Sequence, residues 1–308
     1  MPEGHSVARL AGALTELFGG LRPRVSSPQG RFAQGAAILD SMLLSEAFSF
    51  GKHLFVAFTD SPAPGLDVGD EGPVWLHVHL GLYGSWSFDG DDTFVAEHTI
   101  GAPRRKIGES EVVGSTSRTW SPPVPRDTVR VRLEIDSGVA DLTGPNQCRI
   151  LTGADVRSVL DRLGPDPLRN EPGDRAEFIR RVRRRSVAVG QLVMDQQVVA
   201  GPGNIYRAEC LFRTGIHPLR PGKNVSAARL GHLWDDLVET MNEGKRDGVI
   251  VTNPTEYRRA ADIAGGDETD RRFAVYQRTG RACFRCGAPV KMMDLAGRRL
   301  YWCGSCQR

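Results

Sequence analysis

The stretch CFRCGAPVKMMDLAGRRLYWCGSC, residues 283–306, frames the reading of the whole chain. Its cysteines are spaced Cys283-x2-Cys286-x16-Cys303-x2-Cys306, the ligand number and spacing of a four-cysteine zinc ribbon. Each Cys-x-x-Cys offers two thiolates from one tight turn. Between the pairs, Val290, Met292, Leu300 and Trp302 read as strands flanking a turn at 294–297, so a β-hairpin stapled by one zinc ion is expected. A segment with so little apolar surface cannot fold without its metal, and four protein ligands leave no open position for chemistry, so the zinc is structural. Cys148 and Cys210 stand alone in apolar surroundings and read as core residues.

Upstream of the hairpin the apolar period is helical, with helices expected over 174–184, 187–194, 205–214 and 227–242. They are preceded by Leu163-Gly164-Pro165-Asp166-Pro167-Leu168, where two prolines bar helix continuation and mark a linker. Before it the texture is β: residues 46–58, 74–88 and 128–136 are apolar or alternate, as in Val129, Val131, Leu133 and Ile135 against Arg130, Arg132, Glu134 and Asp136. One amphipathic helix over 6–17, with Ser6 as its N-cap, opens the chain. Residues 61–73 and 89–125 are rich in Gly, Pro, Ser and Asp and read as loops. The fold class is therefore α+β. A β-sandwich or flattened barrel with a flanking helix (1–164) is followed by a helical domain (165–262) and a zinc hairpin (263–308).

Composition narrows the function. The 308 residues are 40% hydrophobic and 25% charged, with no apolar run of the length a membrane span needs. No secretory signal opens the chain, so a cytoplasmic location is expected, and the protein is expected to act as a monomer away from membranes. The net charge is +3, but residues 166–308 carry 25 Lys and Arg against 17 Asp and Glu. A basic half on a near-neutral protein points to a polyanion partner. The run Arg180, Arg181, Arg183, Arg184, Arg185 is either part of that footprint or a solvated face. Gly201-Pro202-Gly203-Asn204 precedes a helix, where free amides and the helix dipole favour an anion; Asn204 would cap the helix or bond a phosphate oxygen.

Several motifs together resemble the formamidopyrimidine-DNA glycosylase and endonuclease VIII family. They are Met1-Pro2-Glu3-Gly4-His5, the Gly51-Lys52-His53-Leu54 strand, Gly203-Asn204-Ile205-Tyr206 with Glu209 and Gly215-Ile216-His217-Pro218, and Arg298 ahead of Cys303-x2-Cys306-Gln307. They occur in the family's order over essentially the whole chain. The resemblance implies a β-sandwich, a helix-two-turns-helix domain with a zinc finger, and damaged DNA lying between the domains. The function it implies is a bifunctional DNA glycosylase and abasic-site lyase of base excision repair.

The residues fit that chemistry. Once Met1 is removed, the Pro2 nitrogen is a secondary α-amine whose class titrates near ~8, against ~10.4 for lysine, so a nucleophilic fraction exists at neutral pH. Attack at C1′ would expel the base and leave an iminium, an electron sink for eliminating the strand phosphates. Glu3 beside it would move protons at the opening sugar. The positive end of the helix that follows would favour the neutral amine and attract a phosphate. By resemblance Lys52 holds a phosphate or assists catalysis, and Arg298, with Arg299 as an understudy, binds phosphate from the hairpin. Asn204 and Gly203 would grip the same backbone, which fixes register and carries no base information. In His79-Leu80-Gly81-Leu82-Tyr83-Gly84, Leu82 and Tyr83 are either the wedge that fills the hole left by an extruded base or an ordinary buried pair.

The Pro-Glu-Gly-His opening and the Leu82-Tyr83 pair resemble the endonuclease VIII branch, which removes oxidised pyrimidines. Where the purine branch carries an Asp-x-Arg-Arg-Phe-Gly loop, this chain has Asp141-Leu142-Thr143-Gly144-Pro145-Asn146-Gln147-Cys148. His5-Ser6 also stands where many members carry Pro-Glu. The competing expectations are an oxidised-purine glycosylase of the same family and a non-catalytic zinc-containing DNA-binding protein.

Overall fold

The computed structural model describes residues 2–60, 72–97, 99–101, 120–263 and 265–308. Most of the two stretches expected as loops, residues 61–71 and 102–119, lie outside the described residues. The chain forms two compact units, Met1–Asp161 and Arg162–Arg308.

The first unit opens with α1 (Gly4–Phe18), whose Val7, Leu10, Ala11, Leu14 and Phe18 recur at helical spacing and are buried. The helix starts earlier than its apolar period predicts. Glu3, not Ser6, is the N-cap: its backbone is extended and its carbonyl accepts from the Ser6 amide at 3.0 Å. The strands then follow as β1 (Arg24–Ser26), β2 (Leu43–Phe50) and β3 (His53–Thr59), with α2 (Ala33–Leu39) inserted after β1. Next come β4 (Val74–His79), β5 (Ser85–Gly90), β6 (Thr99–Gly101), β7 (Val129–Ile135), β8 (Gly138–Thr143) and β9 (Gln147–Leu151), closed by α3 (Gly153–Leu160). They build a five-stranded sheet, β1-β7-β8-β5-β6, and a four-stranded sheet, β2-β3-β4-β9. Leu54, Val56, Leu76 and Val78 from one sheet and Trp86, Val131, Leu133 and Leu142 from the other share one buried core with α1. Alternation thus selects the face, and burying both inner faces makes the sandwich. Thr15 ties α1 to β2: its Oγ1 accepts from the Ala47 amide at 2.8 Å.

Three expectations are corrected here. Residues 46–58 are not one strand but the hairpin β2–β3, while in 74–88 the 79–84 segment, expected as a loop or a strand-turn-strand, does hold the turn between β4 and β5. Residues 89–125 are not all loop, since they hold the end of β5 and all of β6. Arg132 of β7 is polar by sequence yet 3% exposed, because it faces Asp141 across the β7–β8 pair and donates two bonds of 2.7 Å to its carboxylate.

The second unit contains α4 (Asp174–Arg183), α5 (Val189–Leu192), α6 (Asn204–Arg213), α7 (Ala227–Asp247), α8 (Thr255–Ile263) and α9 (Glu268–Arg272). The hairpin β10 (Lys291–Leu295) and β11 (Arg298–Trp302) ends it. In α7, Ser226 caps the start through Oγ, Gly248 at φ +71 ends it, and Leu230, Leu233, Trp234, Leu237 and Met241 face the core. The arginine run is partly structural: Arg181 reaches Glu177 and the carbonyl of Leu163, while Arg183, Arg184 and Arg185 are exposed. No helix among the described residues is long and apolar enough to cross a membrane.

Candidate functional site

Pro2 and Glu3 are both buried at the start of α1, Glu3 with no exposed surface. α1 packs across β2 and β3, and the two-residue loop of that hairpin is Gly51-Lys52, bracketed by the pair Phe50–His53. Lys52 is therefore on a turn and not within a strand, as its apolar flanks had suggested. A loop this short needs a residue with positive φ, and Gly51 adopts +56°. Lys52 is left partly exposed.

The register carries the remaining first-unit candidates to the same end of the sheet. His53 pairs with His79, so the chain leaves β4 beside the Lys52 turn and enters the turn Leu80–Gly84. Gly81 has φ +68, and a Cβ there would lie 2.7 Å from Cβ of Asn146. The neighbouring 144–146 turn is joined to β4 by the Asn146 amide, 2.9 Å from the His79 carbonyl. On this braced turn Leu82 is 38% and Tyr83 75% exposed, so neither is the buried strand residue of the alternative reading. Residues 141–148 are the end of β8, a turn and the start of β9.

A cluster that sequence reasoning missed lies beside them. His77, wholly buried, has its Nε2 2.9 Å from Nδ1 of His53, and its Nδ1 accepts from Nε of Arg149 at 3.2 Å. Burial, then the neighbouring His53, lower its pKa to about 3. His79 is also lowered, by burial and then by Lys52. The available signal was the alternation His77-Val78-His79, which puts both rings on one face of a strand.

In the second unit, α6 begins at Asn204, and Gly203 rather than Asn204 is its N-cap. The Asn204 side chain turns instead to the hairpin. Its Nδ2 donates to the Arg299 carbonyl at 2.9 Å, and its Oδ1 accepts from Arg207, which also reaches that carbonyl at 3.0 Å. Gly203, Asn204 and the start of β11 at Arg298 and Arg299 are thereby brought together, with Arg298 partly exposed beside the hairpin turn. Glu209, one α6 surface further on, has no exposed area, and its carboxylate accepts four bonds. The donors are the Thr252 hydroxyl (2.6 Å) and the amides of Ala274 (2.9 Å), Val275 (2.9 Å) and Tyr276 (2.7 Å). A 220 Å³ cavity lined by Arg213, Asp236, Tyr257 and Arg285 holds none of the candidate residues.

The Sγ atoms of Cys283, Cys286, Cys303 and Cys306 all lie within 4.8 Å of one another. The Cys286–Cys303 and Cys283–Cys306 separations are 3.5 and 3.9 Å. A tetrahedral ion with metal–sulfur bonds of about 2.3 Å spaces its sulfurs by about 3.8 Å, so the four thiolates fit a metal such as zinc. The hairpin turn, Ala296-Gly297, has positive φ at both residues, which sets the two strands in register above the site.

Comparison with known proteins agrees with this architecture. Residues 163–254 match the formamidopyrimidine-DNA glycosylase H2TH domain. The protein named Endonuclease 8 1 of Mycobacterium tuberculosis is 36% identical over 307 residues, covering 100% of both chains. The formamidopyrimidine-DNA glycosylase of Methylococcus capsulatus is 37% identical over 151 residues, 49% of this chain and 54% of that one. Among solved structures, Lactococcus lactis Fpg in complex with DNA containing N7-benzyl-Fapy-dG superposes with a TM-score of 0.71 at 19% identity, covering 100% of both chains.

Proposed function

The chain belongs to the formamidopyrimidine-DNA glycosylase and endonuclease VIII family, and on that premise we propose that it is a DNA glycosylase and abasic-site lyase of base excision repair that removes oxidised bases, mainly pyrimidines. The observation that carries this reading is the end-to-end likeness to an endonuclease 8 protein, against a half-length likeness to a formamidopyrimidine-DNA glycosylase.

The proposed chemistry begins with the Pro2 nitrogen, freed by removal of Met1. Its lone pair forms a bond to C1′ as the bond from C1′ to the base breaks, and the N–H proton that the nitrogen then sheds neutralises the departing base, restoring the lone pair on nitrogen. Glu3 delivers a proton to O4′, the sugar ring opens and C1′=N⁺ remains. Loss of the C2′ proton then expels the 3′ phosphate, a second elimination expels the 5′ phosphate, and water at C1′ returns the amine. The burial of Glu3 supports this, because a carboxylate held away from bulk water keeps its geometry and its proton. Lys52 is assigned to a phosphate or to the reacting sugar, and Gly203, Asn204 and Arg298 to phosphates. Leu82 and Tyr83, apolar and exposed on a braced turn, suit the wedge that replaces an extruded nucleotide.

Single-turnover cleavage of duplexes carrying thymine glycol or 8-oxoguanine tests the assignment. Excision of the pyrimidine lesion at least about tenfold faster, with a borohydride-reducible protein–DNA adduct, is the expected result. Faster purine excision would move the protein to the other branch. Salt-dependent binding with no cleavage of abasic DNA would leave only a DNA-binding protein.

The metal is proposed to be one structural zinc. Zinc-finger peptides gain about 10–16 kcal/mol of apparent folding free energy from such an ion. Chelation should therefore release one equivalent of zinc per chain and lower DNA affinity at least about tenfold, and zinc should restore it. Full affinity after verified metal loss would refute a folding role.

A further inference from the structure

The outer face of the four-stranded sheet carries a chain of hydrogen bonds with a fixed direction. On β3 and β4, Leu54, Val56, Leu76 and Val78 point into the sandwich core. The alternate residues His53, Phe55, His77 and His79 therefore share the opposite face. The register sets His53 against His79, Phe55 against His77, and His77 against Arg149 of β9. The His53 and His77 rings are near parallel, 8° apart with centroids at 5.1 Å, and Phe55 stacks on His77 at 4.9 Å.

Proton positions follow from one end of the chain. A guanidinium only donates, so Nδ1 of His77, 3.2 Å from Nε of Arg149, carries a lone pair. The proton of neutral His77 is then on Nε2, which faces Nδ1 of His53 at 2.9 Å and donates to it. His53 in turn keeps its own proton on Nε2. Charging His53 would put a second proton on Nδ1, against the His77 N–H. Relief would require moving the His77 proton to Nδ1, against Arg149. Neither move is open while Arg149 stays charged, as arginine always does.

We propose that Arg149 and His77 hold His53 as a permanently neutral imidazole with Nε2–H as its donor, making His53 a positioning residue for the DNA phosphate at the Lys52 turn. The phosphate part rests on the reading of Lys52 given above; the tautomer part does not. The strong lowering of the His77 pKa by burial agrees with a ring that never charges. The other charged or titratable groups that bear on this face include Lys52 on the adjoining turn, His79, Glu46 of β2, and Asp155 of α3, whose carboxylate pKa is lowered by its bonds from Thr152 and in part by Arg149. The Nδ1 of His79 accepts from the Gly81 amide at 3.2 Å. From β2 the register sets Phe50 and Phe48, which do not titrate, against His53 and Phe55, and Glu46 one pair further along this face against Ala57. The arrangement keeps His53 from adding a second charge beside Lys52, so this ring does not strengthen phosphate binding there as pH falls.

The test is two-bond ¹H–¹⁵N NMR of the full-length, DNA-free protein labelled in histidine. His53 should show the Nε2–H tautomer and no titration between pH 5 and 8. In His77→Phe, which keeps the stack on Phe55, or in the milder Arg149→Met at an exposed position, His53 should titrate near the ordinary value of about 6.5. A wild-type His53 that titrates between pH 6 and 7, or carries its proton on Nδ1, overturns the proposal. The second arm measures affinity for a duplex with a tetrahydrofuran abasic analogue. At pH 5.5 either variant should bind at least fivefold tighter than at pH 7.5. Its salt slope should steepen by about 0.9, one further phosphate neutralised, and His53→Gln in the same background should remove the gain. A fixed tautomer with no such gain would overturn the phosphate role while leaving the glycosylase assignment to its own trapping assay.

Discussion

Glu209→Ala should destabilise the second unit by about 4 kcal/mol or more, the largest loss expected from one side chain outside the cysteines. The carboxylate is inaccessible to water and accepts from one hydroxyl and three consecutive backbone amides, those of Ala274, Val275 and Tyr276. Alanine supplies no acceptor, and each buried amide left without one costs about 1–3 kcal/mol. Thr252 has a second acceptor, the Arg272 carbonyl at 3.2 Å, so its hydroxyl is partly compensated while the amides are not. Against a total stability of about 5–15 kcal/mol for a domain, such a loss brings unfolding near working temperature. Glu209→Gln keeps one carbonyl oxygen but turns an NH₂ toward amide donors, and should cost about half as much. Urea unfolding followed by tryptophan fluorescence would measure both, and a shift below about 1 kcal/mol for the alanine variant would show that the amides find other partners.

The second large effect concerns the proposed nucleophile. Any residue retained or added ahead of Pro2 turns its nitrogen into a tertiary amide with no available lone pair. Trapping by borohydride should fall by at least about 10³-fold, whereas Pro2→Gly, which keeps a primary α-amine once Met1 is removed, should trap more weakly than proline without losing the adduct altogether. Affinity for the abasic analogue should stay within about threefold, because the phosphate contacts assigned above involve other residues. Mass spectrometry of the N-terminus must accompany the assay, since the unextended protein is competent only without Met1. An adduct that persists at full yield would move the nucleophile to another amine, Lys52 being the first to examine.

Much of the architecture was legible because it depends on local pattern. The cysteine spacing located the hairpin, and alternation in residues 129–135 marked a strand whose apolar positions enter the core. What escaped depends on pairing between distant segments. Residues 46–58 are mostly apolar on either side of Gly51-Lys52-His53, and that brief polar break acts as the turn from β2 into β3 only when both strands are present to pair. Helices α8 and α9 bury almost nothing but Ala261, so they leave no apolar period to detect. The candidate site divides in the same way. Sequence named Glu209 within a motif but could not assign it to amides more than 60 residues away. Asn204 read as either a helix cap or a phosphate ligand, and the structure makes Gly203 the cap and sends the Asn204 side chain to the hairpin. His53, His77 and Arg149 lie on three strands, and only the register joins them.

Arg207 gives the second unit a property that no single contact conveys. Its side chain is 1% exposed and links Asn204 to the carbonyl of Arg299, so the start of α6 and the hairpin tip behave as one stiff body. Immobilising a flexible side chain on association costs about 0.5–1.5 kcal/mol, and for these groups that ordering is already complete when the chain folds. For the DNA phosphate proposed to bind there, preorganisation of this kind favours slow departure and makes residence time the quantity most sensitive to change at Arg207.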